Sequence, residues 1–147
     1  MLKEREGIVF VAQQGRRKCQ RLIYWEVPMK LEELAREIGA HLETTPASDR
    51  DEIQGVYAGD RMSDLLAAAT EHTLLVTHIA NRGLLSLIEL MDIPAVCLVN
   101  GAVPEAAVLE AARDACTGIM VSPRDLYETC GRLYGVLANE KNRAAPS

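Results

Sequence analysis

Two short, unbroken apolar runs, joined by an apolar helix, constrain the fold of this chain more than any other feature. The runs occupy residues 74–77 and 95–99, and the segment between them predicts a helix over 83–91. Continuous apolar runs of this length are typical of strands covered on both faces. A strand, a helix and a second strand in succession form a right-handed βαβ unit with parallel strands. The segment therefore predicts a parallel sheet, and such sheets bind ligands beyond the carboxyl ends of their strands.

The same alternation extends through most of the chain. Leu31, Leu34 and Ile38 recur at helical spacing, and Gly39 ends that helix. The pattern predicts further strands over 41–44, 53–58 and 119–121, and further helices beginning near Met62, Pro104 and Pro123. Strands that alternate with helices favour a three-layer α/β sandwich, with a central, mainly parallel sheet of about five strands flanked by helices.

The charge of the chain changes near residue 28, which predicts a boundary there. Residues 1–28 carry six Lys or Arg against three Glu, a local charge of +3, which leaves −8 for the rest of a chain whose total is −5. Clear helical periodicity also begins only after this point. We therefore interpret residues 1–28 as an N-terminal arm or a mis-assigned start, residues 29–138 as one α/β domain, and residues 139–147 as a polar tail.

If residues 1–28 are an arm, a chain beginning at Met29 is expected to be as stable as the whole chain. The opposing interpretation starts from two apolar segments at 8–11 and 22–25, which favour burial. In that case the two segments pair as a hairpin at the edge of the sheet, with residues 15–18 as its turn.

Composition and spacing disfavour several classes of function. The net charge of −5 argues against nucleic acid as a partner. No apolar run reaches bilayer-spanning length and no signal peptide is recognised, so we expect a cytoplasmic protein without a membrane partner. The four cysteines form no CxxC pair, and no histidine lies at metal-ligand spacing from them. We therefore expect buried, reduced thiols, with neither a metal nor a cofactor.

Polar residues follow the predicted strands, at the edge where ligands of parallel sheets bind. Arg61, Arg82, Arg124 and His78 all fall at strand-to-helix junctions, where they predict an anion-attracting rim. Chance placement on loops explains them equally well. The predicted ligand-binding residues are Gly59, Asp60, Arg61, Thr77, His78, Asn81, Arg82, Asn100, Gly101 and Ser122.

Each of these residue types has a role in binding an anion and an alternative role in the fold. Arg82, at the start of a helix, offers a bidentate donor for phosphate or carboxylate, although Asn81 caps the same helix equally well. The amides around Gly59 and Gly101 are expected to donate to the ligand, and Asn100 to orient a polar group. Tight turns explain the glycines and Asn100 just as simply.

The sequence motifs give little support for a catalytic function. Asp60, Asp64, His78 and Cys130 are the types of residue that supply an acid, a base and a nucleophile, but no GxSxG nucleophile elbow is present. A metal site made of His72, His78 and Asp60 lacks the HxxxH or HxH spacing of such sites. We therefore assign no catalytic and no metal-binding residue.

Several segments together resemble the DRTGG domain. They are GVYAGD at residues 55–60, LLVT at 74–77, AVCLVNG at 95–101, and GIMVSP at 118–123 followed by YET. The resemblance spans about residues 29–138. The Asp-Arg pair of the family name corresponds to Asn81-Arg82, and its Thr-Gly-Gly to residues 99–101, so that Arg82 and Gly101 are kept.

The resemblance implies a regulatory module without catalytic activity, often dimeric, that senses metabolites or nucleotides. DRTGG domains accompany phosphotransacetylases and the CBS domains of some pyrophosphatases, and they also occur as small stand-alone proteins. The function predicted here is accordingly a regulatory module that binds a small anionic metabolite or nucleotide. A protein–protein adaptor without a small ligand is the first alternative, and an enzyme of unknown reaction is the second.

We also expect self-association as a two-fold homodimer, the commonest symmetric assembly. Tyr127 and Tyr134 lie seven residues apart on one side of the last predicted helix, and we expect them to supply an interface. Ordinary packing in the core is the alternative for this pair. A regulatory protein partner is a further expectation of the same class of function.

Overall fold

The computed structural model of the chain describes residues 3–5, 8–11 and 22–144, with side-chain environments from residue 28 to residue 136. Within these ranges the chain forms eight strands and five helices. The strands are β1 (Lys3–Arg5), β2 (Ile8–Val11), β3 (Leu22–Lys30), β4 (His41–Thr44), β5 (Glu52–Ala58), β6 (Thr73–Thr77), β7 (Ala95–Leu98) and β8 (Gly118–Val121). The helices are α1 (Leu31–Ile38), α2 (Met62–Ala68), α3 (Arg82–Leu90), α4 (Ala106–Ala115) and α5 (Leu126–Ala144).

All eight strands belong to one sheet, in the order β1-β2-β3-β5-β6-β7-β8-β4. The central strands β5, β6, β7 and β8 run parallel, with Val56 paired to Leu74 and Val76 paired to Cys97. The other pairings are antiparallel. The sheet is therefore mixed, and the prediction of a mainly parallel sheet of about five strands is wrong. The apolar pattern located strands, but it carries no information on the direction of the edge strands.

The two N-terminal apolar segments lie in paired strands, as the opposing interpretation predicts. β2 pairs antiparallel with β3, with Ile8 opposite Trp25 and Val11 opposite Leu22. The turn predicted at residues 15–18 lies outside the described residues. β3 then continues to Lys30, across the boundary predicted at residue 28, and pairs with β5. At the other end of the chain, α5 continues past residue 138, where we predicted the polar tail to begin.

Two apolar clusters lie on opposite faces of the sheet, because successive strand residues point to opposite sides. Val76 and Cys97 contribute to the cluster that includes α1 and α5. Leu75 and Val96 contribute to the other, which includes α2, α3 and α4. Every residue of β6 and β7 is buried. This burial on both sides explains why the runs at 74–77 and 95–99 show no polar alternation.

A hydroxyl group completes the pairing of the edge strand β4 with β8. The register shifts between Leu42 and Thr44, so the backbone ladder is irregular there. The Thr44 hydroxyl donates to the Thr117 carbonyl at 2.8 Å and accepts from the Ile119 amide at 2.9 Å. Thr44 is only 6% exposed, so these bonds satisfy groups that water does not reach.

The start of β8 packs closely against two neighbouring segments. A Cβ atom at Gly118 would lie 2.8 Å from Cδ of Pro46 and still closer to Cδ2 of Leu31, the first residue of α1. No larger residue fits at Gly118 without moving these neighbours. In the described part of the chain, no helix is both long enough and apolar enough to cross a membrane.

Candidate functional site

The four parallel strands bring their following loops to one edge of the sheet, as the sequence predicts. Asp60 follows β5 and His78 follows β6, and the structure joins them: His78 Nδ1 lies 2.5 Å from Asp60 Oδ1. About half of each side chain is exposed. A protonated His78 therefore forms an ion pair between two adjacent loops, in contact with solvent.

The loop after β5 uses its backbone within the fold. The Gly59 amide donates to the Val76 carbonyl at 2.9 Å and extends the pairing of β5 with β6. Arg61 stands at the N-cap position of α2, with its Nε 3.9 Å from Asp64 Oδ2. The Gly59 amide is therefore not free for a ligand, whereas the Arg61 side chain is mostly exposed.

The loop after β6 combines a cap with an exposed cation. Thr77 is fully buried, and its hydroxyl accepts from the Ile79 amide at 3.3 Å. The Asn81 side chain accepts from the Gly83 amide at 3.0 Å and caps α3, so the capping role predicted as its alternative is confirmed. Arg82 is exposed and makes no ion pair or hydrogen bond to any side chain that the structure describes. Its guanidinium is therefore available to an external anion.

The loops after β7 and β8 are bonded to each other. Asn100 and Gly101 both adopt left-handed backbone angles, with φ of 59° and 61°. Their amides donate to the carbonyls of Arg124 at 2.7 Å and of Ser122 at 2.8 Å. The amides of Gly101 and Gly59 themselves are therefore not free for a ligand, and any amide donor at this edge must come from a neighbouring residue. The Asn100 side chain is exposed at this edge.

Ser122 and Arg124 have structural roles. Ser122 is 1% exposed, and its hydroxyl lies 2.8 Å from that of Thr129 and accepts from the Arg124 amide at 3.2 Å. Arg124 donates from Nη1 to the Ile38 carbonyl at 3.1 Å and from Nε to Glu128 at 2.9 Å. It thereby joins the end of α1 to the start of α5. Both side chains are therefore engaged in hydrogen bonds within the fold.

The described residues contain no cluster of three or more His, Cys, Asp or Glu that would hold a metal ion. Cys97 is buried, and this burial raises the pKa of its thiol to about 12. Burial also raises the pKa of the Cys130 thiol. Cys116 is free and exposed, so the expectation of buried thiols is wrong for this residue, and Cys19 lies outside the described residues. Raised pKa values keep Cys97 and Cys130 protonated and unreactive.

The exposed side of α5 borders a shallow groove of about 950 Å³. Tyr127 is 90% exposed and Tyr134 47% exposed, so packing of this pair in the core is excluded. Ala58, at the end of β5, and Gly131 also line the groove. The spacing of the two tyrosines is visible in the sequence, but the groove is not, because Ala58 and α5 are distant in the chain.

Comparisons with known proteins show a shared fold. No protein-family model matches the chain, and no curated protein matches it in sequence. It is similar to a crystal structure of the CBS and DRTGG domains of the regulatory region of Clostridium perfringens pyrophosphatase, complexed with the activator diadenosine tetraphosphate. The TM-score is 0.62 at 16% sequence identity, over 74% of this chain and 46% of the other. The chain thus has the fold of a portion of that regulatory region and spans less than half its length.

Proposed function

We propose that this protein is a cytoplasmic regulatory module of the DRTGG type that binds a small anionic metabolite or nucleotide. The observation that carries the proposal is the exposed Arg82 guanidinium, without a partner among the described side chains, beside the carboxyl ends of the parallel strands. The similar regulatory region is complexed with a nucleotide activator, which supports a ligand of this class.

Side chains supply the donors in this proposal, because the amides of Gly59 and Gly101 bond within the protein. Arg82 binds the phosphate or carboxylate, since its planar guanidinium matches two anionic oxygens. His78, on the neighbouring loop, contributes its second ring nitrogen while Nδ1 contacts Asp60. Asn100 offers an exposed amide for the sugar or base of a nucleotide. None of these groups is given a catalytic role.

A thermal-shift screen over nucleotides and phosphorylated metabolites tests the proposal. A ligand at one hundred times its Kd stabilises the folded state by about 2.7 kcal/mol, which raises the melting temperature measurably. Arg82→Ala should abolish the shift and leave the unliganded melting temperature unchanged. Arg113→Ala, which removes an exposed arginine from α4, is the matched control and should keep the shift.

Three outcomes would contradict the proposal. The absence of a shift with every compound would favour the protein–protein adaptor, whose surface would be the helical faces. An equal thermal shift in Arg82→Ala and Arg113→Ala would show that the ligand binds elsewhere than at the strand ends. Turnover of a nucleotide or an acyl phosphate would establish an enzyme instead.

The exposed tyrosines of α5 support a second element of the proposal, which is self-association as a two-fold homodimer. Tyrosine is enriched in protein interfaces, and Tyr127 has almost its whole side chain in solvent.

A further inference from the structure

The middle of the exposed face of α5 is made of glycine. Gly131 and Gly135 lie one turn apart and are both exposed. Among the described residues, a Cβ atom at either position would have no neighbour within 4 Å, so none of their contacts requires glycine there. Glycine weakens a helix relative to alanine. The two residues therefore lower the stability of α5 without a compensating contact in the isolated chain.

Side chains of two kinds border these glycines. At 100° per residue, Tyr127 and Tyr134 lie on one side of the glycine pair, and Glu128 and Arg132 lie on the other. An aromatic row, a bare backbone and a charged row thus run side by side along the helix. Glycine without side-chain cover allows another helix to approach the backbone closely.

We propose that this surface, comprising Tyr127, Glu128, Gly131, Arg132, Tyr134 and Gly135, binds the same surface of a second copy. The partner is a second copy because the surface complements itself. When two α5 helices pack antiparallel about a two-fold axis, tyrosines face tyrosines, glycines meet, and Arg132 of each copy faces Glu128 of the other.

The ion pairs already present in α5 are compatible with this arrangement. Arg124 and Arg132 both contact Oε2 of Glu128, at 2.9 Å and 3.5 Å. No described residue donates a hydrogen bond to the other oxygen of this carboxylate, Oε1. Arg132 is the more distant of the two cations and is 45% exposed, so it is placed to reach the Glu128 carboxylate of the second copy.

This inference rests on the proposed self-association and is independent of the proposed ligand. The test is light scattering coupled to gel filtration on the full chain, from about 1 to about 100 μM, the range of moderate dimer affinities. The wild type should be dimeric at the upper end of this range. Gly131→Leu and Tyr127→Ala should each weaken dimerisation by tenfold or more. Leu90→Ala, which truncates a 74% exposed leucine on α3, is the matched control and should dimerise as the wild type does.

A charge exchange tests the antiparallel arrangement and separates lost association from lost folding. Arg132→Glu alone should weaken dimerisation, because it places four carboxylates together in the dimer. Combining it with Glu128→Arg should restore association. Circular dichroism and urea midpoints measured at low concentration should show that every variant is folded.

The outcomes separate two claims, that the protein self-associates and that this surface of α5 is the interface. A monomeric wild type at about 100 μM would overturn both. A dimeric wild type whose affinity is unchanged by Gly131→Leu and Tyr127→Ala would overturn this surface and leave self-association standing. A double charge variant that dimerises no better than Arg132→Glu would overturn the antiparallel arrangement.

Discussion

Replacing Thr44 by valine and by serine separates the energy of a buried hydrogen-bond pair from that of apolar packing. Valine keeps the shape of threonine but removes the hydroxyl that bridges Thr117 and Ile119. Each buried backbone group that loses its partner costs about 1–3 kcal/mol, so we expect the loss of both to lower the free energy of unfolding of Thr44→Val by about 2–6 kcal/mol. Serine keeps the hydroxyl and loses one methyl group, which costs about 1 kcal/mol.

The predicted order of stability is therefore threonine, then serine, then valine. Burial of apolar surface alone predicts the reverse order for the two variants, because residue 44 is 94% buried and valine is the more apolar. Urea unfolding followed by circular dichroism measures the loss of stability, which at an m-value of about 2 kcal/mol/M lowers the midpoint of the valine variant by about 1–3 M. Thr45→Val, at the exposed neighbouring position, is the control and should change stability by less than about 0.5 kcal/mol. A valine variant more stable than the serine variant would refute the reasoning.

Three further predictions concern packing, pH and the N-terminal strands. Gly118→Ala should lower the free energy of unfolding by about 1–3 kcal/mol, since its new methyl group overlaps Leu31 and Pro46; an unchanged urea midpoint would show that these neighbours move freely. Burial raises the pKa of the Cys97 thiol to about 12 in the folded protein, whereas in the unfolded chain it has the ordinary value of 9.0. The free energy of unfolding should therefore fall as the pH rises from 9.0 towards 12, because only the unfolded chain loses the proton there. In unfolding experiments over this pH range, the free energy of unfolding of Cys97→Ala should fall less steeply than that of the wild type. An equally steep fall would show that other groups cause the loss of stability. A chain beginning at Met29 lacks β1, β2 and most of β3, so we expect it to have a lower urea midpoint or to be insoluble; an equal midpoint would support the accessory arm inferred from the charge pattern.

The sequence predicted the elements whose burial follows from local pattern. β6 and β7 were located to within one residue, because strands buried on both faces have apolar runs that no other element of that length explains. The direction of β4 and the mixed character of the sheet were not predictable, since strand direction depends on pairing with residues distant in the chain. The change of charge predicted a boundary at residue 28, which lies inside β3. Residues on both sides of that position pair with β5 in one strand.

The position of the candidate residues in the fold was predictable, whereas the hydrogen bonding of their backbone groups was not. Asp60, His78 and Arg82 follow strands of one parallel set, so their shared edge was evident from the sequence. The sequence predicts free amide donors around Gly59 and Gly101, but the amides of these two glycines donate to the carbonyls of Val76 and Ser122, on other strands or loops. Which backbone groups remain free depends on tertiary pairing, and residue type alone does not reveal it.

Arg124 connects the two surfaces for which functions are proposed. Its carbonyl accepts from the Asn100 amide in the loop at the candidate ligand edge, and its guanidinium binds Glu128, a member of the proposed contact surface on α5. A shift of the Asn100 loop therefore acts directly on the first turn of α5. If ligand binding changes the position of this loop, it changes the affinity between the two copies, and dimerisation must change the ligand affinity by the same factor. The oligomeric state of the protein would then depend on the concentration of its ligand, through the hydrogen bonds of Arg124.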